Sequence, residues 1–234
     1  MKVSRRGLLS LVLALPASTL SLSALAATGP WEPVKQGTAR EDVSTWVRSV
    51  DGMTVKAFRG STEVNQSALT VLALLADTQN LPNWIFKCAS AQHLPSHPHD
   101  HTYARFKGIW PASPRDALFK RVVTQEAGGA IFIETRDVSG HPPAEGHVRI
   151  KSLHNIFRLT PLKGGWTKVE FETQVDLGGM VPGWLANVVS TEAALVTLEG
   201  LKREVVKPKY KIKSLADLPD YYQRSKSITL PPDH

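Results

Sequence analysis

Residues 166–206 read WTKVEFETQVDLGGMVPGWLANVVSTEAALVTLEGLKREVV, and this stretch is the most informative about the fold class. Apolar and polar side chains alternate at its start, which predicts a strand from Trp166 to Val175 with one wet face, as in antiparallel sheets. The expected inner face carries Val169, Phe171, Thr173 and Val175. A loop follows at 176–179. Pro182 then stands near the first turn of a helix that runs to about Val206.

The rest of the chain completes an α+β pattern. Strands are predicted at 43–50 and 54–64, helices at 31–36, 68–77 and 80–88, and five further strands at 102–110, 115–125, 130–138, 147–151 and 155–161. A block of strands with segregated helices predicts a curved antiparallel sheet around the long C-terminal helix. A gap between that sheet and the helix, if side chains leave it unfilled, is a ligand cavity.

The composition limits the class of protein. The chain has 234 residues, of which 42% are apolar and 21% charged; this fits one large domain or two small ones and excludes a disordered tail. The formal net charge of +7 weakly favours anionic surfaces and does not indicate nucleic acid. The single cysteine, Cys88, excludes a disulfide framework and a multi-cysteine zinc site, and we expect it to be buried.

Residues 1–26 have the pattern of a cleaved signal peptide. Basic residues open the segment, an apolar stretch follows, and Ala24-Leu25-Ala26 forms a cleavage signal. The run Ser4-Arg5-Arg6-Gly7-Leu8-Leu9 resembles a twin-arginine export signal, and the general secretory route is the alternative. The mature chain is therefore predicted to be exported, with the bacterial periplasm as its expected compartment.

Six groups of residues share their order and spacing with a known family. They are FRG at 58–60, VLALLAD at 71–77 with PNW at 82–84, WP at 110–111 with PRD at 114–116, GHVRI at 146–150, LTP at 159–161 and DLGGMVPGWLAN at 176–187. Together they resemble the START (steroidogenic acute regulatory protein-related lipid transfer) domains. The resemblance covers about 31–206, which is nearly the whole mature chain.

The resemblance implies a helix-grip fold with an internal hydrophobic tunnel between sheet and helix. It implies a non-enzymatic carrier for one sterol, phospholipid or other apolar molecule, with no cofactor and only transient contact with a membrane surface. The lipid-binding domain would span 27–208, followed by an extension at 209–234 whose polar end is expected to fray. Such domains open near the loop at Gly178-Gly179. The candidate tunnel or portal residues are Phe119, Arg121, Val169, Phe171, Val181, Trp184, Leu185 and Val188.

Two groups of polar residues are candidates for structural or ligand-binding roles. Arg115-Asp116 is interpreted as an architectural ion pair or turn cap at a strand start. Arg121 lies six residues further, on the same face as Arg115 and Phe119. A buried arginine needs an acceptor, and this is either a ligand headgroup or a carboxylate such as Glu134.

A histidine-rich segment allows two interpretations. His99 and His101 alternate on one face and are able to chelate a metal, and His93, His97 and Asp100 lie nearby. A polar surface loop between two elements is the favoured interpretation, and no metal is predicted.

Two other functions stay open beside the carrier. One is a helix-grip enzyme of the aromatase/cyclase type acting on a hydrophobic substrate, in which Arg121 acts with Glu134 or Tyr103. The other is an interaction module with a filled, dry core. The sequence contains no matched acid–base pair, nucleophile motif or phosphate-binding loop, so no catalytic residue is predicted.

Overall fold

The computed structural model of the protein describes residues 29–220, 222 and 227–231. The predicted signal peptide at 1–26 lies outside these residues. Among the helices of the described part, none has both the length and the apolar character needed to span a membrane.

In the described part of the chain, ten strands form one curved sheet. Its order is β1-β2-β3-β10-β9-β7-β6-β5-β4, and all neighbours in this order are antiparallel. The two-residue strand β8 pairs with the start of β6 in parallel. The strands are β1 (Glu32–Lys35), β2 (Ser44–Arg48), β3 (Ala57–Val64), β4 (Cys88–Gln92), β5 (His101–Phe106), β6 (Arg115–Gln125), β7 (Ile131–Asp137), β8 (Val148–Arg149), β9 (Ser152–Leu162) and β10 (Trp166–Asp176).

The alternation predicted for β10 is confirmed. Every second residue of this strand is buried, beginning at Thr167 and ending at Val175. The strand pairs along its whole length with β9 and over seven residues with β3. It is therefore a central strand of the sheet, with one face in the protein interior and the other towards solvent.

Within the described residues, two α-helices pack on the inner face, and both agree with the predictions to within about one residue at each end. The first, α1 (Ala68–Ala76), is buried along its whole length, and the Ser67 hydroxyl caps it by accepting from the Thr70 N–H at 3.2 Å. The second, α2 (Gly183–Val205), begins directly after Pro182. Lys202 and Arg203 in its last turn complement the helix dipole.

The helix predicted at 31–36 is wrong. Residues Glu32–Lys35 form β1, which pairs with β2 at the edge of the sheet and is exposed at all four positions. An edge strand tolerates Pro33, because one side of the strand needs no N–H for pairing. The segment is too short for the spacing of its apolar and polar residues to distinguish a strand from a helical turn.

The helix predicted at 80–88 is also wrong beyond its first turn. A 3₁₀ turn spans Thr78–Asn83, Lys87 then adopts a positive φ of 54°, and Cys88 begins β4. Pairing with β5 begins at Cys88, and the Lys107 N–H also donates to the Lys87 carbonyl at 2.8 Å, so the end of the segment follows the sheet instead of continuing the helical turn. Cys88 is buried, as expected, and burial raises the pKa of its thiol to about 12.

The C-terminal half of α2 lies so close to its neighbours that a Cβ has no room at two glycines. A Cβ on Gly60 of β3 would stand 2.6 Å from Leu198 Cδ1 and 3.3 Å from Ala194 Cβ. A Cβ on Gly200 would stand 2.6 Å from the carbonyl oxygen of Trp84 and 2.8 Å from its Cα. These contacts fix this half of the helix against the sheet and against the segment before β4.

The residues after α2 pack back onto the domain. Two 3₁₀ turns, Pro208–Tyr210 and Leu215–Asp217, lead into a segment that includes buried Leu218, Tyr222 and Ile228. Tyr210 Oη donates to Asp77 Oδ2 at 2.9 Å. The Thr229 backbone and the Gln125 side-chain amide bond each other twice, both at 2.9 Å. At 227–231 the extension contacts the domain through Ile228 and Thr229, and the last residues, 232–234, lie outside the described part of the chain.

We expect Gly200→Ala to destabilise the protein by about 1–2 kcal/mol in urea denaturation. The new Cβ collides with backbone atoms of Trp84, and such overpacking outweighs the roughly 1 kcal/mol that alanine gains over glycine within a helix. Gly183→Ala is the matched control, because a Cβ there has no atom within 4 Å. Equal stability of Gly200→Ala and the wild type would contradict the close approach.

Candidate functional site

A cavity lies between the concave face of the sheet and α2. Its volume is about 200 Å³, and most of its lining is apolar. The helix contributes one residue per turn to the lining: Leu185, Val189, Ala193 and Thr197. Two of these side chains are short, so the gap between helix and sheet is not filled.

Aromatic rings line one end of the cavity. Phe157 of β9 packs on Phe171 of β10, with ring centroids 4.6 Å apart, and on Trp84, at 5.8 Å. Phe58 of β3 lies 6.2 Å from Phe171. All four rings belong to the lining, where they present a large and rigid apolar surface.

A row of polar side chains crosses the cavity floor on four neighbouring strands. Arg121 of β6 pairs in register with Thr135 of β7, and Thr135 pairs with Asn155 of β9. Asn155 pairs in turn with Thr173 of β10, whose hydroxyl donates to Asn155 Oδ1 at 2.9 Å. All four line the cavity, so hydrogen-bonding groups lie in one row within an apolar lining.

Arg121 is held by α1 and by nearby hydroxyl groups. Its Nη1 donates to the carbonyl oxygen of Leu75 at 2.8 Å, and its Nη2 donates to the hydroxyls of Thr78 and Thr102 at 3.2 Å each. The carbonyl belongs to the last turn of α1, where unpaired carbonyls carry the negative end of the helix dipole.

The carboxylate partner predicted for Arg121 is wrong. Glu134 accepts hydrogen bonds from Arg136 and bonds His154, both at 2.8 Å, on the outer face of the sheet. Successive residues of a strand point to opposite faces, so Thr135, and not Glu134, shares the cavity face with Arg121.

The cavity opens at the end of β6 where Arg115 lies. Among the lining residues, Lys87 and Lys107 are the exposed ones, and the Lys107 N–H donates to the Lys87 carbonyl at 2.8 Å. Arg115 pairs in register with Phe106, which directly precedes Lys107. The mouth of the cavity therefore lies beside these three cations.

Arg115 connects two loops at this mouth. Its Nη1 donates to the Ser113 carbonyl, and its Nη2 donates to the carbonyls of Gly178 and Met180 at 3.4 Å each. The side chain lines the cavity, yet the residue is only 7% exposed and its Nε has no hydrogen-bond partner. Burial lowers the pKa of Arg115.

Asp116 points away from the cavity and is fully buried. It accepts from Tyr103 Oη at 2.6 Å, from Arg149 Nε at 2.8 Å and from the Ala144 N–H at 2.7 Å. Burial raises the pKa of Asp116, but these bonds outweigh it and lower the pKa to about 2. The architectural ion pair predicted at Arg115-Asp116 thus forms between Asp116 and Arg149, and it anchors the segment before β8.

A comparison with family sequence patterns matches residues 17–206 to the START domain. The chain belongs to the START domain family. An uncharacterized protein of Pseudomonas aeruginosa is 29% identical over 199 residues, spanning 84% of this chain and 96% of that protein.

Solved START structures share the fold. A STAR-related lipid transfer protein from Xanthomonas axonopodis is 26% identical, with a TM-score of 0.67, and the match covers 76% of this chain and 99% of the other. Human STARD10 is 20% identical, with the same TM-score of 0.67 and coverage of 86% and 83%. The helix-grip fold implied by the sequence resemblance is therefore confirmed.

The START cavity includes half of the residues predicted for the tunnel or portal. Phe119, Arg121, Phe171 and Leu185 line it. Val169 is buried in the core outside the lining, Val181 packs on the core, Val188 is half-buried and Trp184 is 54% exposed. Their contact with a lipid stays a prediction.

Sequence reasoning missed several lining residues of this START domain. Phe157 and Asn155 lie two positions apart on β9, and this spacing was the available signal for a shared face. Trp84 and Ile133 carried no comparable signal, because their places in the lining depend on which elements are neighbours. Arg115 did carry the signal, since it alternates onto the face of Phe119 and Arg121, but it was interpreted as part of an architectural ion pair or turn cap.

The described residues do not form the pair that the aromatase/cyclase alternative requires. Arg121 lines the cavity, but neither Glu134 nor Tyr103 does. Tyr103 is bonded to Asp116, and burial together with that bond raises the pKa of its hydroxyl to about 12.

The histidine-rich segment forms a polar surface connection. His93 Nδ1 bonds the His101 carbonyl at 2.9 Å, and His97 Nε2 bonds the Gly140 carbonyl at 3.1 Å. His101 Nδ1 bonds Asp100 Oδ1 at 2.8 Å. Across the ranges that the structure describes, no group of three or more His, Cys, Asp or Glu residues is arranged to hold a metal ion.

We expect Asp116→Asn to destabilise the START domain by about 2–4 kcal/mol at neutral pH. The substitution removes the negative charge that accepts hydrogen bonds from Arg149 and Tyr103. The pKa of Asp116 falls from 3.8 in the unfolded chain to about 2 in the fold. Its contribution is therefore complete above about pH 4 and lost as the pH falls through 2. The gap between wild type and variant should shrink by about 2 kcal/mol over that window.

Chemical denaturation between pH 5 and pH 2 measures this gap. Glu192→Gln, at an exposed position of α2, is the control for the loss of one negative charge. A gap that stays constant with pH would contradict the role assigned to Asp116.

Proposed function

We propose that this START domain binds a single hydrophobic, lipid-like molecule in its cavity and carries it between membranes in the periplasm. The observation that carries the proposal is the apolar, aromatic-lined cavity beneath α2, whose exposed lining residues are Lys87 and Lys107. The Xanthomonas relative is named as a lipid transfer protein, and this is consistent with the proposal.

In the proposed mechanism the apolar tail of the ligand moves between the membrane interior and the cavity, and no covalent bond changes. Removing an apolar tail from water contributes about 0.8 kcal/mol per CH₂, and a membrane interior offers the same gain. The net free energy of transfer between membrane and cavity is therefore small, and the exchange is reversible. The protein shields the apolar tail from water while the complex crosses the aqueous compartment. The signal-like segment at 1–26 supports export as the route to that compartment.

The gate is proposed at the N-terminal half of α2 and the loop before it. The C-terminal half is fixed by the contacts at Gly60 and Gly200, whereas a Cβ on Gly183 would meet no atom within 4 Å. Gly178 and Gly179 both have a φ of +63°, so the loop adopts a conformation that favours glycine. The loop rests against β8, because a Cβ on Gly178 would stand 2.7 Å from the Arg149 carbonyl oxygen. Opening of the gate would separate the loop from β8, with the glycines providing the backbone freedom for that movement.

The membrane contact is proposed at the same end of the molecule. Trp110 and Met180 are each 88% exposed, and Trp184 is 54% exposed. Arg115 joins the loop that contains Trp110 to the loop that contains Met180, so these side chains belong to one end of the domain. Exposed large apolar side chains beside a cavity mouth fit insertion into a lipid surface.

Native mass spectrometry of the purified protein, followed by denaturation and lipid extraction, tests the carrier. We expect a discrete adduct of lipid mass on the wild type and its loss in Ala193→Phe, because the larger ring occupies the cavity space that this small residue leaves open. Val196→Phe, on the exposed side of the same helix, is the control and should keep the adduct.

A protein that stays free of ligand after incubation with phospholipids, sterols and fatty acids would contradict the carrier. Retention of the adduct in folded Ala193→Phe would show that the ligand lies elsewhere.

The double variant Trp110→Ala/Met180→Ala should bind phosphatidylethanolamine–phosphatidylglycerol vesicles at least tenfold more weakly than the wild type. Burying one large apolar side chain contributes about 1.5–3 kcal/mol, and this variant removes two such side chains from the contact. Vesicle co-sedimentation measures the change. Val34→Ala, an exposed position on β1, is the control, and an equal loss with that variant would place the contact elsewhere.

A further inference from the structure

We infer that the cargo is an amphiphile with an anionic headgroup, and that Arg115 binds this headgroup at the mouth of the cavity while the tail points towards the aromatic end. The inference rests on the proposed carrier function and names the chemical class of its ligand. Its basis is the charge of the cavity lining and the hydrogen bonding of Arg115.

The charges in the cavity lining are all of one sign. Four cationic residues take part in it, Lys87, Lys107, Arg115 and Arg121, and the described lining residues include no aspartate or glutamate. The apolar walls lower the local dielectric and strengthen the field of these charges inside the cavity. A neutral cargo leaves this field uncompensated, whereas an anion compensates it.

Arg115 is the cation in this set with the poorest compensation. It is nine-tenths buried and its Nε–H has no acceptor. Its hydrogen bonds go to neutral backbone carbonyls, one from Nη1 to Ser113 and two long ones from Nη2 to Gly178 and Met180 at 3.4 Å. The nearest residue in sequence with a carboxylate, Asp116, is turned to the other face and is bonded by Arg149. A buried charge of this kind is costly unless a counter-ion and hydrogen-bond acceptors meet it.

Arg121 is a weaker candidate for the headgroup. Its guanidinium already donates to the Leu75 carbonyl and to the Thr78 and Thr102 hydroxyls, at 2.8–3.2 Å. It also lies six residues from Arg115 along β6, which corresponds to about 20 Å of extended strand. A headgroup at Arg121 would have to pass beyond the three cations at the mouth.

The positions along the cavity fit an amphiphile entering tail first. Arg115 and the exposed lysines Lys87 and Lys107 stand at the mouth, and Phe157 and Phe171 line the aromatic end. A guanidinium offers a planar pair of donors that matches a carboxylate or a phosphate. The inference therefore specifies an anionic oxygen headgroup, and the probes below separate the two forms.

Equilibrium dialysis with oleate, oleyl phosphate and oleyl alcohol tests the inference on the wild-type protein. The three probes share one tail and differ only in the headgroup. We expect at least one anionic probe to bind about ten- to a hundredfold more tightly than the alcohol, which is the range for hydrogen bonds to a charged group. Preference for oleate indicates a carboxylate cargo, and preference for oleyl phosphate indicates a phosphate cargo.

Arg115→Gln should abolish the preference, with the affinity for oleyl alcohol changed by less than about threefold, since the apolar contacts remain. A merely structural arginine would weaken all three probes equally. Arg105→Gln, an exposed cation on β5 outside the lining, is the control and should keep the preference. If Arg115→Gln does not fold, Arg115→Lys replaces it, and a reduced but persisting preference is expected.

Equal binding of the three probes by the wild type would overturn the inference and leave the carrier function standing. Loss of the preference in Arg121→Gln, with retention in Arg115→Gln, would also overturn it and place the headgroup at the polar row. Failure of all three probes to bind would contradict the proposed function itself.

Discussion

At Gly60 and Gly200, α2 approaches its neighbours to distances that leave no room for a Cβ. This contact fixes the C-terminal half of the helix against β3 and against the segment at Trp84. The N-terminal half then extends over the sheet at a separation that its own short side chains, such as Ala193, do not fill. The cavity lies under the part of α2 from Leu185 to Thr197, before the close approach at Gly200.

The alternation of side chains along β6 sorts the polar groups of the domain. Arg115, Phe119 and Arg121 face the cavity, whereas Asp116 faces the other side, where Tyr103 and Arg149 bond its carboxylate. Two neighbouring residues of opposite charge are thereby separated: the anion stabilises the fold, and the cation lies beside the ligand space, where the described lining contains no carboxylate. Under the proposed function, this arrangement is the source of the inferred preference for an anionic headgroup.

Local pattern predicted the parts of the fold whose structure depends on neighbours in sequence. The strict alternation of β10, and Pro182 at the start of α2, indicated the bounds of both elements to within about one residue. The errors at 31–36 and 80–88 both lie in segments that lead to an edge strand of the sheet. Residues 32–35 are β1 itself, whereas the segment at 80–88 leaves its 3₁₀ turn after Asn83 and turns at Lys87 to enter β4 at Cys88. Short segments of this kind have too few residues for a period to be read.

The family and the α+β class could be obtained from the sequence alone. Eight cavity residues were proposed from the sequence, and four of them line the cavity. Which side chains meet in the cavity depended on the tertiary structure. The row from Arg121 to Thr173 exists because four strands are in register, and the partner of Asp116 proved to be Arg149, 33 residues away. Such relations depend on strand order and on the face that each residue presents. A single sequence carries the period of each strand but does not encode the register between strands as a readable pattern.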